Sequence, residues 1–172
     1  MDIKTFKLLA NYNIWATRTL THALEEISDQ DFFQDQGLFF KSIFGTLNHL
    51  LVGEHYLWFP RFNAQTAPAL SLDTIIEKDR SSLLQALQNK SYRWLDFLEH
   101  IDTQCFDQDL HYQSSAGQAI SLPYAQALLH VFNHGTHHRG QITAALTAMG
   151  HTCPALDMVY MLLEMKENQL DF

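Results

Sequence analysis

Apolar side chains recur along most of the chain at a spacing close to 3.6 residues, which is the period of one face of an α-helix. The pattern is clearest over residues 2–26, where neither proline nor glycine interrupts it. Three further segments share it, and the four predicted helices cover residues 2–26, 42–60, 72–101 and 123–149. Four long amphipathic helices that bury their apolar faces together predict an all-α fold, a four-helix bundle.

The predicted helix boundaries depend on residues that commonly begin or end helices. Ser42 and Ser71 are placed to cap the second and third helices, and Pro60 is expected to help end the second. Pro123 suits the first turn of the fourth helix, and Gly150 can adopt the left-handed conformation that terminates it.

Two shorter elements complete the predicted fold. Residues 109–121 alternate apolar and polar side chains around a Ser-Ser-Ala-Gly turn, which predicts a small hairpin before the fourth helix. A short final helix is predicted at residues 157–166. Because the chain has no internal repeat and no linker-like segment, residues 1–172 are expected to form a single domain.

Composition and charge narrow the class of function. The formal net charge of −8 disfavours binding to nucleic acids and to anionic membranes. No segment approaches the roughly 20 apolar residues of a membrane span and the start of the chain lacks a signal-peptide pattern, so a cytoplasmic protein is expected. Cys105 and Cys153 form no Cys-x-x-Cys pair and therefore predict neither a disulfide framework nor a zinc ribbon.

The residues with the most distinctive chemistry are histidines, four of which fall between positions 130 and 138. On a helix, His134 and His138 lie one turn apart on one face, so both rings can reach the same metal ion. His130 lies about 12 Å from His138 along the axis, which is too far to share that ion. His137 is the alternative if the helix is rotated, and a third ligand must come from another helix.

Six histidines elsewhere could supply the third ligand: His22, His49, His55, His100, His111 and His151. His49 stands out because it lies mid-helix in the apolar segment GTLNHLL, where a buried imidazole needs a partner. His55 is expected to face another side, nearer the polar end of that helix. Spacing alone leaves two interpretations open: a metal ligand, or a histidine that is hydrogen-bonded within the core.

Two segments of the chain, GTLNHLLVGEHYLW and HVFNHGTHHRGQI, together resemble the DinB family of four-helix-bundle metalloproteins, the DinB/YfiT-like proteins. The resemblance covers nearly the whole chain, including LANYNIW near the start and PALDMVYML near the end. The family motif takes one metal ligand from the second helix and two from the last long helix. In this chain, the resemblance implies His49, His134 and His138 as the metal ligands.

The resemblance implies a divalent-metal-dependent enzyme that acts on a small molecule. Three imidazoles leave an open coordination position at which water or a thiol can be activated, and the ion could be zinc, nickel or iron. Relatives in the superfamily use low-molecular-weight thiols such as bacillithiol or mycothiol, so a thiol-dependent S-transferase or isomerase is expected. The alternative is a non-catalytic bundle that binds metal or serves in a stress response.

The resemblance assigns no catalytic residue beyond the three histidines. His130 and His137 are interpreted as supporting or surface residues, while Arg139 and Gln141 either orient the ligands or lie on the helix surface. The family also implies a homodimer that pairs through helix faces. Because protons compete with metal for imidazole, metal binding is expected to weaken as the pH falls through about 6.5.

Overall fold

The computed structural model describes residues 1–64, 66, 68–114 and 116–168, and most of these lie in helices. The elements in chain order are α1 (Ile3–Glu25), α2 (Asp29–Phe33), α3 (Ile43–Leu50), a π-helical segment (Leu51–Trp58), α4 (Phe59–Ala64), α5 (Arg80–His100), a 3₁₀ turn (Thr103–Asp107), β1 (Asp109–Gln113), β2 (Ala119–Pro123), α6 (Tyr124–Ala148) and α7 (Met158–Glu167). Because α3, the π-helical segment and α4 follow one another without a break, they are called helix 43–64 below. Helix 43–64 forms a four-helix bundle with α1, α5 and α6, as predicted.

A polar layer separates two apolar halves of the bundle core. The buried side chains of the first half include Leu20, Leu24, Ile43, Leu47, Leu83 and Ile142. Those of the second half are largely aromatic and include Phe6, Phe59, Phe62, Trp94 and Phe132. Buried polar residues come between the two sets along their helices: Asn13, Glu54, His55, Ser91 and Arg139. Along α1 and α6 the aromatic half comes first in the sequence, whereas along helix 43–64 and α5 it comes last. The two pairs of helices therefore run in opposite directions.

The hairpin and the final helix cover the bundle where the sequence predicts them. Strands β1 and β2 pair antiparallel, with Leu110 opposite Leu122, and Leu110 is buried in the aromatic half of the core. On α7, the buried side chain of Met161 belongs to the same apolar cluster as Trp15 of α1. Nε1 of Trp15 also donates a 2.6 Å hydrogen bond to Glu164, which holds α7 against α1.

The third long helix begins at Arg80, so the predicted start at residue 72 is wrong. The backbone ahead of this helix finds its partners on the side chain of Asn48. Oδ1 of Asn48 accepts from the amides of Ile76 and Glu77, at 2.8 and 3.1 Å, and Nδ2 donates to the carbonyl of Glu77. The amides of Ile76 and Glu77 and the carbonyl of Glu77 therefore find partners without a helix, and Asp79 provides the cap of α5.

The segment from residue 71 to residue 79 is a loop beside helix 43–64. Ser71, which was expected to cap the helix, instead hydrogen-bonds to the side chain of Asp73. Ile75, which was expected in the buried stripe, is exposed. This loop matters for the site because it also carries Leu72, whose carbonyl contacts His49.

Helix 43–64 passes through Pro60, where the sequence predicted its end. The π-helical segment ends at Trp58, and the amide of Phe59 donates to the carbonyl of Glu54, five residues earlier. Pro60 therefore lies in the first turn of a new α-helical segment, a position at which a missing amide hydrogen costs little. The helix continues to Ala64 for this reason.

The boundaries predicted at Ser42 and Gly150 are confirmed, whereas Pro123, which was expected in the first turn of the fourth helix, lies just before that helix. Oγ of Ser42 accepts from the amide of Gly45 over 3.0 Å and caps α3. Pro123 immediately precedes α6, and Gly150 follows it with a φ of +81°, a left-handed conformation that glycine adopts readily. Among the described residues, none of the helices has the length and apolar character needed to span a bilayer.

Candidate metal centre

His49, His134 and His138 converge on one point between helix 43–64 and α6. Nε2 of His134 lies 3.1 Å from Nε2 of His49 and 3.1 Å from Nε2 of His138. One ligand atom from each of the three residues lies within 4.8 Å of the others, and no other such cluster of histidine, cysteine or acidic residues occurs in the described part of the chain. The structure therefore brings together the three residues that the family motif implies.

The spacing of these nitrogens fits the donors of a single divalent ion. With bonds of 2.0–2.1 Å, two ligands of a tetrahedral ion stand about 3.3 Å apart. His49 and His138 are buried and His134 is half-buried, so the cluster lies just beneath the surface of the protein. Three neutral nitrogen donors suit zinc, nickel or iron.

Hydrogen bonds fix the tautomer of two of the three rings. Nδ1 of His49 donates to the carbonyl of Leu72 over 2.9 Å, and Nδ1 of His138 donates to Oε1 of Gln141 over 2.8 Å. A ring that carries its proton on Nδ1 presents a lone pair on Nε2, the atom that points to the centre of the cluster. Gln141 therefore orients a candidate ligand, which was one of the two roles that the sequence left open for it.

Burial keeps the three imidazoles in the neutral form that binds metal. Desolvation, together with the charges of the neighbouring histidines, lowers the pKa of His134 to about 3 and that of His138 to about 4. Desolvation also lowers the pKa of His49. Protons therefore compete for these rings at a lower pH than the 6.5 expected of an ordinary imidazole.

A cavity of about 640 Å³ adjoins the histidine cluster on the side of Phe40. The ring of Phe40 stacks on that of His49, with 3.8 Å between ring centroids, and also lines the cavity. Leu72 lines the same cavity, together with Lys41 and Ile75. Its volume and mostly apolar lining suit a small organic molecule.

The remaining histidines do not join the cluster. His130 and His137 are exposed, and their ring centroids lie 5.6 Å from His134 and 4.9 Å from His138 respectively. His22, His100, His111 and His151 lie elsewhere in the fold, and His151 pairs with Asp31 at 3.0 Å. The face of α6 that carries His134 thus points toward helix 43–64, and the alternative ligand His137 does not.

His55 is buried in the bundle, whereas the sequence placed it nearer the polar end of its helix. Its Nε2 lies 3.8 Å from Oε2 of Glu54. Desolvation, with a smaller contribution from the charges of Arg93 and Lys90, lowers the pKa of His55 to about 3. The folded protein therefore keeps this ring neutral under conditions in which the unfolded chain protonates it.

The pKa of His55 predicts that acid destabilises the fold. Between pH 6.5 and about 3, the unfolded chain binds a proton that the folded protein does not, so the free energy of unfolding falls as the pH falls. His55 alone contributes a slope of up to about 1.4 kcal/mol per pH unit. Urea unfolding at pH 6 and pH 4, with a chelator present, measures how the free energy of unfolding changes with pH. This change per pH unit should be smaller in His55→Gln than in the wild type by about the amount that His55 contributes. The control His22→Gln, on the exposed surface of α1, should retain the wild-type slope; an equal slope in all three proteins would contradict the prediction.

Comparison with known proteins gives a family and a fold. The model of the DinB family matches residues 1–169. The chain is 28% identical over 158 residues to Protein DinB of Bacillus subtilis (strain 168), an alignment that covers 88% of this chain and 90% of that protein. Its structure resembles that of YfiT from Bacillus subtilis, which is described as a probable metal-dependent hydrolase with an unusual four-helix bundle topology. The TM-score is 0.67 at 18% identity, over 88% of this chain and 91% of YfiT.

Proposed function

The chain belongs to the DinB family, and on that premise we propose that it is an enzyme that holds one divalent metal ion through His49, His134 and His138. The observation that carries the proposal is the convergence of three Nε2 atoms from two helices. The ion is zinc, nickel or iron. The whole of residues 1–172 acts as the single domain that carries this site.

The three histidines occupy only part of the coordination sphere of such an ion. A divalent ion with an open position supplies Lewis acidity, which lowers the pKa of a water or thiol at that position. The residues of the chain bind and orient: Leu72 and Gln141 hold the protons on Nδ1 of two ligands, and Phe40 shields the face of His49 from water. The adjoining cavity receives the body of the substrate.

The reaction we propose is a thiol-dependent transfer or isomerisation that uses a low-molecular-weight thiol such as bacillithiol or mycothiol. In the transfer, the sulfur bonds to a carbon of a small electrophile, the bond from that carbon to an anionic leaving group breaks, and the thiol proton goes to solvent. In the isomerisation, the sulfur–carbon bond forms and breaks again, so that the thiol is released unchanged. The location of the chain's own thiols supports a thiol that comes from outside. Cys105 packs against the aromatic half of the core and burial raises its pKa, while Cys153 is exposed beyond α6. Neither belongs to the histidine cluster.

Two other functions compete with thiol transfer. The first is hydrolysis, which the likeness to YfiT favours, because that protein is described as a probable metal-dependent hydrolase. The second is non-catalytic metal binding or a stress-response role. Added thiol distinguishes thiol transfer from the other two functions, and hydrolysis of an ester without thiol distinguishes the hydrolase from non-catalytic metal binding.

The proposed function predicts thiol-dependent turnover by the metal-loaded protein. Purified protein without a histidine tag is loaded with zinc, nickel or iron(II) and mixed with 1-chloro-2,4-dinitrobenzene and bacillithiol, mycothiol or cysteine. Conjugation above the rate of the uncatalysed reaction between thiol and chlorodinitrobenzene is expected only with the metal-loaded protein, and this excess rate should disappear in His49→Ala but persist in His137→Ala. Hydrolysis of p-nitrophenyl acetate without thiol would instead support the hydrolase. Metal-loaded protein that turns over neither probe would overturn the enzyme proposal.

We also propose that the protein is a homodimer in the cytoplasm. The outer face of α7 supports the dimer, because it exposes four large apolar side chains that no element of the described chain covers: Val159, Tyr160, Leu162 and Leu163. An apolar face of this kind is typical of a surface that pairs with another protein. The partner that we propose is a second copy of the chain.

A charge on the outer face of α7 is expected to separate the dimer. Sedimentation of wild-type protein at micromolar concentration should give twice the mass of the 19.9 kDa chain, and Leu163→Glu should give the monomer mass. The control Tyr92→Glu changes a similarly exposed aromatic residue on α5 and should remain dimeric. A monomer mass for the wild type would refute the dimer.

A further inference from the structure

Two glycines interlock the π-helical segment with α6 beside the histidine cluster. A Cβ atom on Gly53 would lie 3.3 Å from Cε1 of His134, and one on Gly135 would lie 2.6 Å from Oε1 of Glu54. The side chain of His134 on α6 therefore packs against Gly53, and the side chain of the next residue after Gly53, Glu54, packs against Gly135 on α6. The interlock fixes how the two helices are rotated and aligned at the place where His134 meets His49.

A buried chain of hydrogen bonds ties Glu54 to α1 and back to α6. Oε2 of Glu54 accepts from Nδ2 of Asn13 over 3.0 Å, and Oδ1 of Asn13 accepts from Nη1 of Arg139 over 2.6 Å. The three residues are at most 4% exposed, so water does not compete for these bonds. Because Arg139 directly follows His138, these hydrogen bonds connect the π-helical segment to the part of α6 that carries two candidate ligands.

His134 depends on this packing more than the other two candidate ligands do. Nδ1 of His49 and of His138 each donates to an acceptor, whereas Nδ1 of His134 is buried without a partner among the described residues. A hydrogen bond from the second ring nitrogen normally fixes the orientation of a metal-binding histidine. Without one, the position of the His134 ring depends on the helices that pack against it.

We propose that Asn13, Glu54 and Arg139 are positioning residues, which place the ring of His134 in the metal centre. The proposal rests on the metal site proposed above. Metal–nitrogen distances vary by only about 0.2 Å, so a small displacement of α6 against the π-helical segment weakens binding while the bundle stays folded. A network with a purely structural role would change the free energy of unfolding and leave the metal affinity of the folded protein unchanged.

Two glycines of α6 provide a matched test of the interlock. Alanine at Gly135 meets Glu54, whereas alanine at Gly140 has no neighbouring atom within 4 Å. Cobalt(II) titration of the folded proteins should show an affinity at least about tenfold weaker in Gly135→Ala, with altered visible absorption of the bound cobalt. Gly140→Ala should bind as the wild type does. Equal affinity and equal spectra in the two variants would overturn the proposal.

An exchange of acidic and amide groups tests the hydrogen-bond chain. Asn13→Asp alone places a second carboxylate against Glu54 and should weaken cobalt binding at least about tenfold. In the double variant Asn13→Asp/Glu54→Gln, the amide of residue 54 donates to the carboxylate of residue 13, which still accepts from Arg139. One carboxylate and one guanidinium remain, so cobalt affinity and absorption should return close to those of the wild type. An affinity in the double variant as weak as that of Asn13→Asp would contradict the positioning role.

Failure of this proposal is distinguishable from failure of the metal site. If His49→Ala loses cobalt while Gly135→Ala, Asn13→Asp and the double variant all bind as the wild type does, the site stands and the positioning role is refuted. If His49→Ala keeps full affinity, the site itself is refuted. Should Asn13→Asp fail to fold, the double variant and the glycine pair still decide the question.

Discussion

Alanine in place of His49, His134 or His138 is expected to weaken binding of a divalent ion by more than about a hundredfold, beyond the 10–100-fold cost of losing a residue that merely orients a ligand. Each substitution leaves two imidazoles for an ion that the wild type holds with three. The bundle should stay folded, because alanine is compatible with a helix and none of the three histidines belongs to the two apolar halves of the core. Cobalt(II) titration with circular dichroism measures both effects in the same sample.

His130 and His137 provide the controls for this prediction, since both are exposed on the same helix as two of the ligands. His130→Ala and His137→Ala should bind cobalt almost as tightly as the wild type. Wild-type affinity in all three triad variants would refute the site. A loss confined to His130→Ala or His137→Ala would mean that the other face of α6 binds the metal.

Glu54→Ala is expected to destabilise the protein by about 3–5 kcal/mol, the typical cost of removing one partner of a buried charge pair. Glu54 and Arg139 are both buried and are connected through Asn13. Desolvation raises the pKa of the Glu54 carboxyl, while Arg139 and Asn13 favour its ionised form. Arg139 hydrogen-bonds to Oδ1 of Asn13 and reaches Glu54 only through that residue, so loss of the carboxylate leaves the buried guanidinium without the opposite charge that offsets it.

Urea unfolding at pH 7 measures the loss in Glu54→Ala. Glu99→Ala is the control, because Glu99 is an exposed acidic residue on α5 and its removal should change the free energy of unfolding by less than about 0.5 kcal/mol. A loss in Glu54→Ala as small as that of the control would show that the buried network contributes nothing to stability.

The sequence predicts the bundle and the histidine cluster because both depend on regular helical spacing. The apolar period locates the four long helices, and a separation of four residues puts His134 and His138 on one face. The apolar surroundings of His49 single it out among six candidates, and the family motif then selects all three. Periodicity and local composition therefore predict the helices and the candidate histidines, and the resemblance to the family selects the ligand set.

Departures from regular α-helix are the part that the sequence does not predict. Pro60 suggests a helix end, but the preceding π-helical segment places it in a first turn and lets the helix continue. Ser71 has the residue type of a cap, yet the side chain of Asn48 pairs with the loop backbone and delays α5 to Arg80. Both outcomes are set by contacts between segments, which local residue preferences do not contain.

The positioning network is also hidden in the sequence. Asn13, Glu54 and Arg139 are separated by 41 residues or more and have no spacing that relates them. Each is a polar residue in an amphipathic helix, a pattern that ordinarily indicates the exposed face. Only the packing of three helices shows that these side chains lie inside. Gly135 carries the one local signal, because glycine within a long helix commonly marks a close approach.

The most direct test of the account is the location of the metal in crystals grown with one equivalent of zinc per chain. Anomalous diffraction at the zinc edge should show one peak about 2.0–2.1 Å from Nε2 of His49, His134 and His138, with at least one coordination position free of protein. A peak at other residues, a bond through Nδ1 in place of Nε2, or no peak at the histidine cluster would contradict the account.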